Sequence, residues 1–165
     1  MTQQGIDLQV SPAEETIRIG PLTVRFLITA GNSAGRIAAF EVVIPGAQRL
    51  NAPAHSHGQC EETIYGVEGV LTWTVDGKQV ELGTGQVLCI PRGAVQRFDN
   101  NTNEDAKVLC LITPAALGPQ YFRECAEVIN AAAGGPSDRA RMTEIMHRHG
   151  LTPAPPPPRL AVQKR

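Results

Sequence analysis

A chain of 165 residues and 17.7 kDa is the size of one domain with at most a small appendage, so two full domains are not expected. Fifteen Lys and Arg against sixteen Asp and Glu leave a net charge of −1, which provides no electrostatic footprint for nucleic acid or for an anionic membrane. With 42% hydrophobic and 19% charged residues the chain can bury a core, yet it has no apolar run long enough to span a bilayer. The polar stretch from Met1 to Val10 lacks the layout of a signal peptide, and a cytoplasmic location is expected. Cys60, Cys89, Cys110 and Cys125 form no CxxC pair, so they are expected to be reduced thiols.

In chain order, residues 1–15 form an N-terminal segment and residues 16–113 a β domain. Its predicted strands are Thr16–Ile19, Leu22–Ile28, Ile37–Ile44, Glu62–Val67, Val70–Val75, Lys78–Leu82, Val87–Ile90, Val95–Phe98 and Lys107–Thr113, the cadence of an all-β barrel or sandwich. Asp76-Gly77 between two of these runs predicts a type I′ hairpin, with Leu71, Trp73 and Val75 on one face of its first strand. Residues 114–152 switch to helical spacing. Phe122, Cys125, Ala126 and Ile129 share a face behind Gly118-Pro119, and Met142, Ile145, Met146 and His149 share another behind an N-cap at Ser137. Residues 153–165 are a Pro-rich tail, expected to be extended.

All four histidines lie in HxH pairs, His55-Ser56-His57 and His147-Arg148-His149. Residues i and i+2 share a face on a strand but lie about 200° apart on a helix, so the helical pair cannot bind one metal together. His149 is read as a packing or capping residue and His147 as solvated. His55 and His57 precede Gly58-Gln59-Cys60, where a turn into the strand beginning near Glu62 would make a hairpin that sets a carboxylate beside two imidazoles. Two His and one carboxylate are the facial set that holds a divalent transition metal and leaves positions open for substrate or oxygen.

The residues from His55 to Gly69 resemble the first cupin motif: HxH, four residues, Glu62, six residues, Gly69. Glu61 would break that register. Downstream, Gly85, Pro91, Gly93 and Asn100 resemble the second motif, except that the metal-binding histidine position is Gln96. The C-terminal TPAALGPQYFRECAEV segment and the Pro run are similar to the tails of bacterial single-domain cupins related to quercetin dioxygenase. The resemblance implies a cupin jelly-roll barrel with a short C-terminal helical extension. It also implies a divalent metal (Fe, Mn, Ni or Zn) on His55, His57, Glu62 and Gln96, a small-molecule substrate in the barrel, and often a homodimer. Light scattering at micromolar concentration checks that dimer, and a monomer mass rejects it.

Strand parity adds Ile64, on the Glu62 face, and Phe98, on the Gln96 face, as candidate pocket residues. Tyr65 has the opposite parity. Cys60 lies between ligand positions and is read as a bystander. The function expected is oxygenation of a small organic molecule, with phenols among the candidate substrates and Glu62 doubling as a base; the alternative is a non-catalytic or non-redox binder with a weak or absent metal site.

Overall fold

The computed structural model describes residues 15–48 and 53–155. The strands are β1 (Glu15–Ile19), β2 (Leu22–Ile28), β3 (Ala38–Ile44), β4 (His55–His57), β5 (Glu61–Glu68), β6 (Val70–Val75), β7 (Lys78–Gly83), β8 (Val87–Ile90), β9 (Gln96–Asp99) and β10 (Ala106–Thr113), with burial alternating most regularly in β1, β5 and β10. Helices α1 (Pro119–Ala131) and α2 (Arg139–Arg148) follow, then β11 (Leu151–Pro153). The strands pair antiparallel in two sheets, ordered β1-β2-β3-β10-β5-β8 and β11-β4-β9-β6-β7. The fold is a cupin jelly-roll barrel with a C-terminal helical part, as the strand cadence and motifs predict. No helix among the described residues is long and apolar enough to cross a membrane.

Local rules hold at the turns. Asp76 and Gly77 both take positive φ, 46° and 78°, and join β6 to β7 with Val75 opposite Lys78, the backbone a type I′ turn requires. Gly69 has φ +69°, and a Cβ there would lie 2.6 Å from the Asp105 carbonyl oxygen. Both the left-handed backbone and the clash with main chain oppose a side chain. Gly69→Ala is expected to destabilise the barrel by about 2 kcal/mol in a denaturant titration; an unchanged midpoint would remove the steric reason for this motif glycine.

The helices pack on one side of the barrel. Phe122 of α1 meets Phe26 and Phe40 edge-on, with ring centroids 5.5 and 5.0 Å away. Asn130 near its C-terminal end accepts from Gly20 N at 2.8 Å and donates to the Arg18 carbonyl at 3.0 Å, tying the helix to the β1–β2 turn. The N-cap of α2 is Asp138, whose carboxylate accepts from Arg141 N at 3.1 Å. The expected cap, Ser137, stands one residue too early for that bond. His149 is the C-cap of α2, its Nε2 3.3 Å from Glu124 and its ring 5.5 Å from Tyr121, while His147 is exposed.

Leu151–Pro153, which spans the end of the helical region 114–152 and the first residue of the tail 153–165, forms the edge strand β11 against β4, with Leu151 opposite His57 and Pro153 opposite His55. A proline is tolerated there because an edge strand has backbone groups that need no sheet partner. The rest of the Pro-rich tail from residue 156 lies outside the described residues. All four cysteines are free.

Candidate functional site

The two histidines and the carboxylate do meet, but not through a hairpin. β4 belongs to the five-stranded sheet and β5 to the six-stranded one, so His55 and His57 face Glu62 across the barrel. Backbone pairing with β9 sets His55 opposite Gln96, and β11 closes the other edge of β4. His57 O accepts from Gly93 N at 2.9 Å, which ties the histidine strand to the second motif.

Glu62 is 8% exposed and Gln96 2%. Gln96 Nε2 donates to Glu62 Oε2 at 2.6 Å, and the Cys110 thiol also hydrogen-bonds that carboxyl. Glu61 instead points outward to Arg92 at 3.2 Å, so the register that selects Glu62 is the one the fold uses. His55 Nδ1 lies 3.2 Å from the Pro53 carbonyl oxygen. Only a protonated Nδ1 can bond a carbonyl, which leaves the neutral ring's lone pair on Nε2. His57 Nδ1 lies 3.4 Å from Cys60 Sγ, and its Nε2 lies 3.4 Å from Glu62 Oε2. The two imidazole centroids are 5.2 Å apart.

Burial sets the charges. It pushes His57 down to about 4. His55 is lowered by burial first and by the neighbouring His57 second, against the opposing pull of the Pro53 carbonyl and Glu62. Glu62 is raised by burial, an effect the Gln96 amide partly offsets. Cys60, raised to about 11 by burial, remains a thiol and is no nucleophile at neutral pH. Both imidazoles are therefore neutral donors near pH 7, the state in which histidine binds a metal.

The donor chemistry fits a divalent transition metal. The 3.4 Å between His57 Nε2 and Glu62 Oε2 is long for a hydrogen bond. Yet among the described residues no group of three His, Cys, Asp or Glu side chains forms a finished metal site. The amide of Gln96 occupies an oxygen of Glu62 and supplies a weaker donor than the histidine of the motif.

These polar groups form one corner of a cavity of about 350 Å³. Phe40, Trp73 and Phe98 line its barrel wall, and Leu117, Tyr121, Phe122, Met142 and Met146 close it from the helical side. Phe98 thus lines the cavity, as parity suggests. Ile64 does not: it is fully buried on the same face as Glu62 but is absent from the wall. Parity assigns a face and not a depth, and two residues along a strand shift a side chain by roughly 7 Å. Tyr65 faces outward, 41% exposed. The helical contribution was missed in the sequence, although the apolar faces carrying Phe122, Met142 and Met146 were its signal.

Residues 40–112 match the cupin domain, which places both motifs and the cavity's polar corner within it. The chain is 29% identical over 114 residues to the tetracenomycin polyketide synthase protein TcmJ of Streptomyces glaucescens, covering 69% of this chain and 76% of that protein. It is 33% identical over 92 residues to polyketide synthase CurC of Streptomyces cyaneus, covering 56% of this chain and 57% of that one. The oxalate decarboxylase of Lactobacillus farciminis, solved as a formate complex, superposes with a TM-score of 0.53 at 22% identity, over 61% of this chain and 31% of that protein. The last likeness is one of fold.

Proposed function

We propose that this protein is a metal-assisted cupin oxygenase acting on a planar, oxygen-bearing small molecule of the polyketide type. The observation that carries the reading is a cluster of polar side chains, His55, His57, Glu62 and Gln96, in a mostly apolar cavity whose wall also includes Gln48 and Arg97. Likeness to two polyketide synthase proteins supports the substrate class. His55, His57 and Glu62 would hold Fe, Mn, Ni or Zn, with Gln96 at its border. When bound, such an ion supplies a Lewis acid, or a redox centre where the metal allows it, for substrate oxygen and O₂.

The chain's own groups do the rest. Trp73 and Phe98, 4.7 Å apart, offer ring surfaces to a planar ligand. The helical side excludes water, which strengthens electrostatic interactions at the corner. Gln96 Nε2 fixes one carboxyl oxygen of Glu62, and burial keeps that carboxyl a better proton acceptor than an exposed one. In this role Glu62 accepts a phenolic proton at a carboxylate oxygen and returns it to product.

The 2.6 Å bond from Gln96 to Glu62 favours a second reading, a non-redox binder whose buried carboxyl is satisfied without metal. Oxygen uptake with a panel of phenols, measured together with metal content, separates the two. The oxygenase reading expects uptake that is abolished in the His55→Ala, His57→Ala double variant together with the metal. Uptake that survives in that variant overturns it, and metal-free parent protein that still binds phenols favours the binder.

A further inference from the structure

The cavity wall contains a buried hydrogen-bond donor that the polar corner does not use. Trp73, the only tryptophan in the chain, lies on β6 opposite Phe98 and is 1% exposed. It lines the cavity, and its indole Nε1 has no hydrogen-bond partner among the described residues. Arg97 Nε is also without one, but that guanidinium still bonds Asp99 at 2.7 Å. The indole has a single polar atom, and none of the described residues satisfies it. An unmet buried N–H is more destabilising than a typical hydrogen bond is stabilising, and a phenylalanine would fill this wall without that penalty.

We propose that Trp73 Nε1–H is a ligand-recognition donor that binds a second oxygen of the substrate, away from the corner formed by His55, His57, Glu62 and Gln96. The inference rests on the functional reading above and narrows its substrate class. An indole N–H only donates, so its partner is a carbonyl, ether or phenolic oxygen and not an ammonium. Strand register sets the scale: Val75 pairs with Gln96 and Trp73 with Phe98, so the backbone positions of Trp73 and Gln96 are offset by one two-residue step, roughly 7 Å. Two fused aromatic rings with an oxygen at each end are of that scale. The Nε1 atom is shielded from solvent, so the oxygen would reach it through a side-chain rearrangement at the cavity wall.

The test uses 2,6-dihydroxynaphthalene, with naphthalene as its oxygen-free counterpart. Because Trp73 is the only tryptophan, ¹⁵N-tryptophan labelling places a single indole cross-peak in the NMR spectrum, and replacement by 3-benzothienylalanine removes this N–H alone while keeping ring size. Expected is a downfield shift of the indole proton with the diol and none with naphthalene. Calorimetry should then show the diol binding about three- to tenfold more weakly to the benzothienyl protein, with naphthalene unaffected. Diol binding with an unmoved indole signal and equal affinity for both proteins overturns the inference and leaves the cavity's function standing. Failure of both compounds to bind removes the cavity reading itself, and this inference with it.

Discussion

Gln96→His is expected to tighten metal retention by about tenfold or more, read by chelator competition with metal counted per chain. Two effects act in the same direction. Imidazole nitrogen is a better donor than an amide for late first-row ions, and the substitution frees the Glu62 oxygen that Gln96 now occupies at 2.6 Å. A Gln96 that only packed against the barrel wall would be replaced with a small stability loss and no gain in affinity. Activity need not follow occupancy, because a further protein ligand fills a position that substrate or oxygen requires. Equal retention in parent and variant would place any bound metal elsewhere.

Asn100→Ala is expected to lower stability by about 4 kcal/mol, with an unchanged denaturant slope. Asn100 is 1% exposed, and its Nδ2 donates to the carbonyls of Ile44 at 3.0 Å and Glu104 at 2.8 Å. Its Oδ1 accepts from Thr102 N at 3.0 Å and from Thr102 Oγ1 at 2.8 Å. Alanine would leave the buried Ile44 carbonyl and the part-buried Thr102 N–H without these partners at the junction of β3, β9 and the turn into β10. A loss below 1 kcal/mol would mean that water replaces the amide and that the motif asparagine is not structural.

What could be read before folding was local. Period-two runs located β1 to β3 and β5 to β10 but not the short β4 and β11, Asp76-Gly77 set one hairpin in register, and the motif spacing singled out Glu62 over Glu61. Partner choice was not local. Nothing within residues 55–62 says that β4 and β5 lie in different sheets, since β4 is held by β9 and by β11 about a hundred residues downstream. Depth was illegible for the same reason. Ile64 and Phe98 were chosen by the same parity argument, yet only Phe98 reaches the cavity; Ile64 is fully buried even though Cys110, directly opposite it, lines the wall. The closing wall from α1 and α2 was visible as two apolar helix faces whose target could not be named. Gln96 was visible as a departure from the motif, but its bond to Glu62 depends on two sheets meeting.

The central claim is that His55, His57 and Glu62 hold one divalent metal ion at the polar corner of the cavity. Elemental mass spectrometry on protein purified without added metal, beside the His55→Ala, His57→Ala double variant of confirmed fold, tests it most directly. The account predicts close to one transition-metal ion per parent chain and none in the variant; equal metal content in the two, or none in a parent that also fails to take up Fe, Mn, Ni or Zn, would contradict it.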